Sequence, residues 1–204
     1  CDFRQRRYTP IYAYDHTVDK NKFFYIWRRA YKFPPVTKKN LKRLFSRMRA
    51  RKEYDFLFSQ AEAEHRQLAI GYPCREGVVD IKTIMQELAS SRVFFKIDIE
   101  GSEYAILDQL LAVQERMTGL AIEFHDCDRH QEEIANFIQK LSLPLVHTHG
   151  NNYGGQDQQG DPYVLELTFG HPDCVLLPDA WNGSHLDQPN DPVRPDIPLC
   201  FQAD

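Results

Sequence analysis

From Gly71 onward, apolar and polar positions alternate between two rhythms, short apolar runs and helical stripes. Val93-Phe-Phe-Lys-Ile-Asp-Ile99 is an apolar run stopped by Gly101. It reads as a strand over 93–99 covered on both faces, as strands of parallel sheets are. Before it, Ile81, Ile84, Met85 and Leu88 mark a helix with Asp80 as its N-cap. After it, Ser102 to Val113 reads as a helix with Ile106, Leu107, Leu110 and Leu111 facing inward. Gly119 to Phe124 is then a strand, and Ile134, Phe137, Ile138 and Leu141 mark a helix. Leu145 to His149 is the next strand, 151–161 a polar loop, and Tyr163 to Phe169 the last clear strand.

Upstream the signals are sparser. Pro10 to Asp15 reads as a short strand ending in an acid, and Phe23, Phe24, Trp27 and Tyr31 give 22–33 near-helical spacing. Pro34-Pro35 breaks the chain. Leu41, Leu44, Phe45 and Met48 are the expected buried stripe of an amphipathic helix. Arg66 to Gly71 suits a strand, and Tyr72-Pro73 a turn. Residues 170–204 are rich in proline and read as a closing segment laid along the body, with a short strand near Leu199 to Phe201.

Strands alternating with helices through 66–150 predict an α/β fold with a mostly parallel sheet. Right-handed crossovers would then gather the carboxyl ends of all these strands at one edge, where open α/β sheets bind ligands. The chain has 204 residues, 42% of them apolar, which suits one domain with an added tail. Its mean hydropathy is -0.54, and its apolar runs are too short for a membrane span. The net charge of -4 conceals an asymmetry, because Arg28 to Lys52 is basic without a single acid. Such a run is usually the solvated face of a helix, with anion binding the minority reading; nucleic acid is not an expected partner. Five cysteines lack CxxC or zinc spacing, and their odd number favours a reducing compartment, hence a cytoplasmic location. Asn182-Gly-Ser184 matches a glycosylation tripeptide, but no signal peptide supports secretion.

The expected edge collects Asp15, Asp98, Glu100, His125, Asp126, His149 and Asn151, with Glu103 one turn into the following helix. An acid ending an early strand, as Asp15 does, accepts hydrogen bonds from ribose hydroxyls in nucleotide-binding α/β folds. Asp15-His-Thr17 is equally good turn chemistry. Asp98 and Glu100 are two apart and share a strand face with Lys96. They either meet a ligand there or form a Lys–Asp ion pair with Glu100 as a helix cap. His125, His147 and His149, with Glu123 and Asp126, offer ligands for a divalent cation or a general base. A satisfied structural histidine is the commoner role for any one of them, and no metal is assigned from the sequence.

Val93 to Tyr104, followed by Gly119 to His125, resembles the FkbM-type methyltransferases, whose signature runs lysine, apolar, aspartate, apolar, glutamate, glycine, any residue, glutamate. His147 to Tyr153, Pro162 to Phe169 and Leu186 to Pro192 are similar to later parts of that group. The match covers about 66–204 well and Ile11 to Val18 more weakly. The resemblance implies an S-adenosyl-L-methionine-dependent enzyme on a seven-strand, Rossmann-like class I methyltransferase sheet. It also implies O-methylation of a hydroxyl on a small molecule or glycan. Under it Asp15 would hold the ribose, Asp98 and Glu100 would lie beside the methionine moiety, and Glu100, His125 or His149 would act as general base.

Two departures stand out. The family opens with a strand and a Gly-rich turn, whereas Cys1 to Pro10 contains no glycine. Residues 20–64 are also long and basic for a connection between the second and third strands of that family. The expectation is a methyltransferase core over 1–170 that lacks its first strand, a basic helical insertion at about 20–64, and a tail over 171–204. Such a chain would bind cofactor weakly by itself. Two alternatives remain: a non-catalytic methyltransferase-like scaffold, and a nucleotide-dependent oxidoreductase or sugar-nucleotide enzyme on the same fold.

Overall fold

A computed structural model describes residues 10–18, 38–174 and 188–199, with side chains described outside 38–47 and Cys174. The helix expected over 22–33 and the Pro34-Pro35 break lie outside the described residues. The chain divides into two compact units, one up to Ile70 with Arg75–Val78, the other comprising Gly71–Cys74 and the remainder from Val79.

In the first unit, Ile11–Tyr14 (β1) pairs in parallel with Ala63–Arg66 (β2). Between them runs a helix, Lys38–Phe58 (α1). It is stitched by ion pairs one turn apart, Arg49–Glu53 at 2.9 Å and Arg51–Asp55 at 3.3 Å. Met48, expected on the buried stripe, is 44% exposed. The inward contacts come later in the helix, where Tyr54 and Phe58 meet the ring of His65 on β2. The strand expected over Arg66–Gly71 is broken: β2 stops at Arg66, and Ala69–Ile70 (β3) pairs instead with Val78–Val79 (β4).

The second unit is built on a sheet with the strand order β5-β6-β8-β7. The strands are Val93–Ile97 (β5), Met117–Phe124 (β6), Leu145–Gly150 (β7) and Leu165–Gly170 (β8). β5 and β6 are parallel; β8 runs antiparallel to both β6 and β7. Three strands therefore point one way, and the fold is mixed α/β with a mostly parallel sheet. The expectation that every strand ends at one edge is corrected at β8, which brings its amino end, Leu165 and Glu166, to the edge where β5, β6 and β7 finish.

The described residues of this unit form three α-helices: Ile81–Glu87 (α2), Leu107–Ala112 (α3) and Cys127–Lys140 (α4). α2 starts where expected, the Asp80 side chain accepting from the Thr83 N–H at 2.8 Å. Leu107 is preceded by a turn of 3-10 helix over Glu103–Ile106. Ile81, Ile97, Ile106, Leu110, Leu120, Phe124 and Phe169 are essentially inaccessible and make the core. β6 is its spine, with buried residues alternating along most of its length.

β5 is not covered on both faces. Phe94 is 51% exposed and the Lys96 side chain 64%. Phe94 lies over Gly119 of β6, its backbone partner. An aromatic ring laid over a cross-strand glycine covers backbone that no side chain protects. The apolar run therefore belongs to a strand with one buried face.

The described part of the tail, 188–199, does lie along this unit. Asn152, itself buried, donates to the carbonyls of Asp191, Arg194 and Pro195 and accepts from the Asp191 N–H. The strand-like contact is a single antiparallel bridge between Ile197 and Gly150, upstream of the expected 199–201; residues 200 and 201 lie outside the described residues.

Candidate functional site

Two adjacent parallel strands deliver the candidate residues. β5 ends at Ile97, so Asp98 is the first residue past it, and the chain then turns through two left-handed residues, Glu100 (φ 54°) and Gly101 (φ 93°). The neighbouring β6 ends at Phe124, followed by His125 and a left-handed Asp126 (φ 52°). A left-handed residue other than glycine is uncommon, and here one follows each strand. Both turns fold the chain sharply back into the next helical segment.

His125 is the meeting point. Its Nδ1 lies 3.2 Å from Oε1 of Glu103, and its Nε2 lies 3.5 Å from Glu100 and 3.8 Å from Glu123. Asp98, Glu123 and His125 each place a ligand atom within 4.8 Å of the other two, the one such group of three among the described residues. Lys96 pairs with Asp98 at 3.9 Å, the ion pair allowed for from the sequence. Glu100 is 87% exposed on its side chain.

Glu103 is the buried member, at 0% exposure. Its Oε1 accepts from the N–H groups of Ile99 and Gly101, at 3.1 and 3.3 Å, and faces His125. It therefore closes the turn that carries Asp98 and Glu100. Its Oε2 is buried without a hydrogen-bond partner. Tyr104, next to it, donates to the carbonyl of His125 and stacks on His130. Burial holds the Tyr104 hydroxyl protonated well beyond neutral pH, with the nearby Cys127 thiol and Glu103 adding to the effect.

Glu123 leads into a second cluster. Burial, then the neighbouring charges of Asp98 and Glu166, raise its carboxyl above the usual range against the opposing pull of His125 and Lys96. The Asn151 amide donates to Glu123 at 3.0 Å and to Glu166 at 3.3 Å. Glu166 also receives Asn190 at 2.8 Å and faces Nδ1 of His149 at 3.6 Å. The other His149 nitrogen faces Asp196 at 3.2 Å. Both ring nitrogens of this buried histidine thus already face carboxylates. His147 and His149 share a strand face as expected, their rings 6.5 Å apart, but neither joins the group around His125.

Asp15 belongs to the other unit. Its Oδ1 accepts from the Thr17 N–H at 2.7 Å, the Thr17 hydroxyl at 2.6 Å and the Val18 N–H at 3.2 Å. Its backbone carbonyl meets Nε2 of His65, which Tyr54 holds from the far side. Partial burial would raise the Asp15 carboxyl, but the bonds from Thr17 and Val18 and the charge of His65 outweigh it and leave the group below its ordinary value. The turn chemistry read from the sequence is therefore present.

Sequence reasoning passed over Glu166, Asn190 and Asp196. The signal for Glu166 was its place in Leu165-Glu-Leu-Thr-Phe169, a charged residue inside an apolar strand. Asn190 and Asp196 lie in a tail with no periodicity to expose them. No helix of the described residues is long and apolar enough to cross a membrane. No family model, curated protein or solved structure matches the chain.

Proposed function

We propose that this chain carries the substrate edge of an S-adenosyl-L-methionine-dependent methyltransferase acting on a hydroxyl of a small molecule or glycan. The observation that carries this reading is the convergence of Asp98, Glu100, Glu123 and His125 at the carboxyl ends of two adjacent parallel strands. That is where ligands of open α/β sheets bind. The resemblance of Val93–Tyr104 and Gly119–His125 to FkbM-type enzymes gives the convergence its chemical meaning.

The residues suit the cofactor. Asp98 and Glu100 are exposed, acceptor-only groups when ionised, able to receive an ammonium and hydroxyl donors. S-adenosylmethionine supplies an electrophilic methyl group on a sulfonium and leaves as a neutral thioether. The enzyme's part is mainly alignment, since an in-line displacement depends on holding donor and acceptor in register. His125 is positioned for the proton. With Nδ1 turned to Glu103, its Nε2 is left toward the exposed Glu100, and there it would take the proton that an acceptor hydroxyl loses on methylation. His149 is less available, both of its nitrogens being engaged.

Incubation with methyl-labelled cofactor and pools of glycan and small-molecule hydroxyl acceptors tests the reading. With cofactor supplied far above the weak affinity expected of this chain, label should appear in product with the wild type and fall by orders of magnitude with Asp98→Asn. Saturable binding of a nicotinamide dinucleotide, with no binding of the methyl donor, would overturn it.

A further inference from the structure

We infer that Asp98, Glu123 and Nε2 of His125 form a binding site for one divalent cation of the Mn²⁺/Mg²⁺ class, with Glu103 as the residue that positions His125. This rests on the donor set alone and not on methyl transfer; an Nε2 that ligates the cation cannot also be the base, so with the ion bound Glu100 takes that proton.

Geometry comes first. The three donor atoms lie within 4.8 Å of one another. An octahedral cation with bonds of about 2.1 Å holds its ligand atoms roughly 3–4 Å apart. Asp98 is the exposed member of the three, so its side chain is the one with room to rotate inward. The ligands follow two hydrogen-bonded parallel strands, which hold their backbones side by side.

The partner of His125 points the same way. A histidine that ligates a metal usually donates its other ring N–H to a carboxylate, which fixes the tautomer and turns the free nitrogen toward the ion. Glu103 stands in that relation to Nδ1 at 3.2 Å, leaving Nε2 toward Glu100 and Glu123. Without a cation or a proton between them, the Nε2 lone pair and those carboxylates would repel one another.

The unpartnered atom supplies an independent argument. Glu103 is wholly buried, and its Oε2 has no hydrogen-bond partner. A buried charge is costly unless positive charge compensates it. Among the described residues, Asp98, Glu100, Glu103 and Glu123 gather around His125 and Lys96, and Lys96 pairs with Asp98 from a side chain largely in solvent. Even a protonated His125 leaves this edge negative. A dication corrects the imbalance at the point where the carboxylates converge.

Ligand type sets the metal class. Two carboxylates and one imidazole suit hard to borderline ions. The nearby thiol does not compete, because the buried Cys127 sulfur already donates to the Phe124 carbonyl.

Titration of metal-stripped protein with Mn²⁺, followed by the loss of the free-ion paramagnetic resonance signal, tests the site. One ion should bind per chain, and Mg²⁺ should compete. Asp98→Asn and His125→Gln should each weaken binding at least about tenfold, and Glu103→Gln by about 10–100-fold although it removes no ligand. Lys96→Ala should tighten binding, because Lys96 competes for Asp98. That variant guards against misreading a folding defect, since damage to the fold does not improve affinity. Asp157→Asn, in the distant polar loop, should leave binding unchanged. Absence of saturable Mn²⁺ binding by the wild type, or affinity indifferent to Asp98→Asn, His125→Gln and Lys96→Ala, would overturn the assignment.

Discussion

Glu123 and Glu166 stand directly opposite one another across the β6–β8 ladder, and a single amide, that of Asn151, donates to both. Like charges opposed across strands destabilise a sheet. Here the amide N–H groups stand between them, and Asn190 adds a second donor to Glu166.

Asn151→Ala should therefore cost more than one lost hydrogen bond. Two partly buried carboxylates lose a donor together, and each such loss is on the order of 1–3 kcal/mol. Urea unfolding at neutral pH should show a loss of at least about 2 kcal/mol. Combining the substitution with Glu166→Gln, which ends the repulsion, should recover part of it. Strict additivity in that cycle would mean that Asn151 does not act through Glu166.

Glu103 yields a comparison between two replacements. Alanine removes the acceptor for the Ile99 and Gly101 N–H groups and leaves a cavity in a fully buried position. The expected loss is about 2–4 kcal/mol. Glutamine keeps an oxygen for those donors and removes a buried charge, so its cost should stay below about 1 kcal/mol in the absence of metal. Thermal melts of both variants under chelating conditions measure the difference. Equal losses would show that the charge, and not the acceptor, holds the turn.

Much of the second unit was legible from spacing, for physical reasons that also mark where legibility ends. Ile81, Ile84 and Met85 point inward because helical periodicity encodes a face, and Asp80 caps because its side chain competes for backbone N–H groups. Strand direction has no such signature. Leu165-Glu-Leu-Thr-Phe169 alternates identically whether read up or down the sheet, so nothing local announces that β8 is reversed. That reversal is what brings Glu166 beside Glu123 and His149, which is why this residue was missed. Val93-Phe-Phe misled in another way: apolar composition suggested two covered faces, whereas Phe94 lies over a cross-strand glycine. Asp98, Glu100 and His125 were found at the site because a residue that follows a strand stays at its end whatever its neighbours do. The burial of Glu103 depends on how the turn closes over it, which no spacing encodes.

Gly119 tests the account of Phe94. A Cβ built there would lie 2.9 Å from the backbone oxygen of Phe169 and 2.9 Å from the Phe94 ring. The ring can move, but the backbone oxygen belongs to the β6–β8 ladder. Gly119→Ala should therefore destabilise by about 1–3 kcal/mol. Phe94→Ala, which clears the ring alone, should not rescue it. Rescue in the double variant, measured by urea unfolding, would place the crowding in the ring instead.

Asp80 gives a prediction in pH. A hydrogen bond from the Thr83 side chain, followed by one from its backbone N–H, holds the Asp80 carboxyl below its ordinary value of 3.8. The folded state thus binds this proton less readily than the unfolded chain. Its contribution is complete well above 3.8 and disappears as pH falls through the lower, folded value. At pH near 7, Asp80→Ala should cost about 1 kcal/mol, the usual worth of an N-cap. Asp80→Asn should cost much less there, since the amide oxygen still accepts from Thr83. Chemical unfolding across a pH series should show wild type and Asp80→Ala converging only as the carboxyl protonates, on the acid side of 3.8. A gap unchanged into that range would mean the ionised carboxylate is not what caps α2, and that the helix start is held by Ile81 and Ile84 packed in the core.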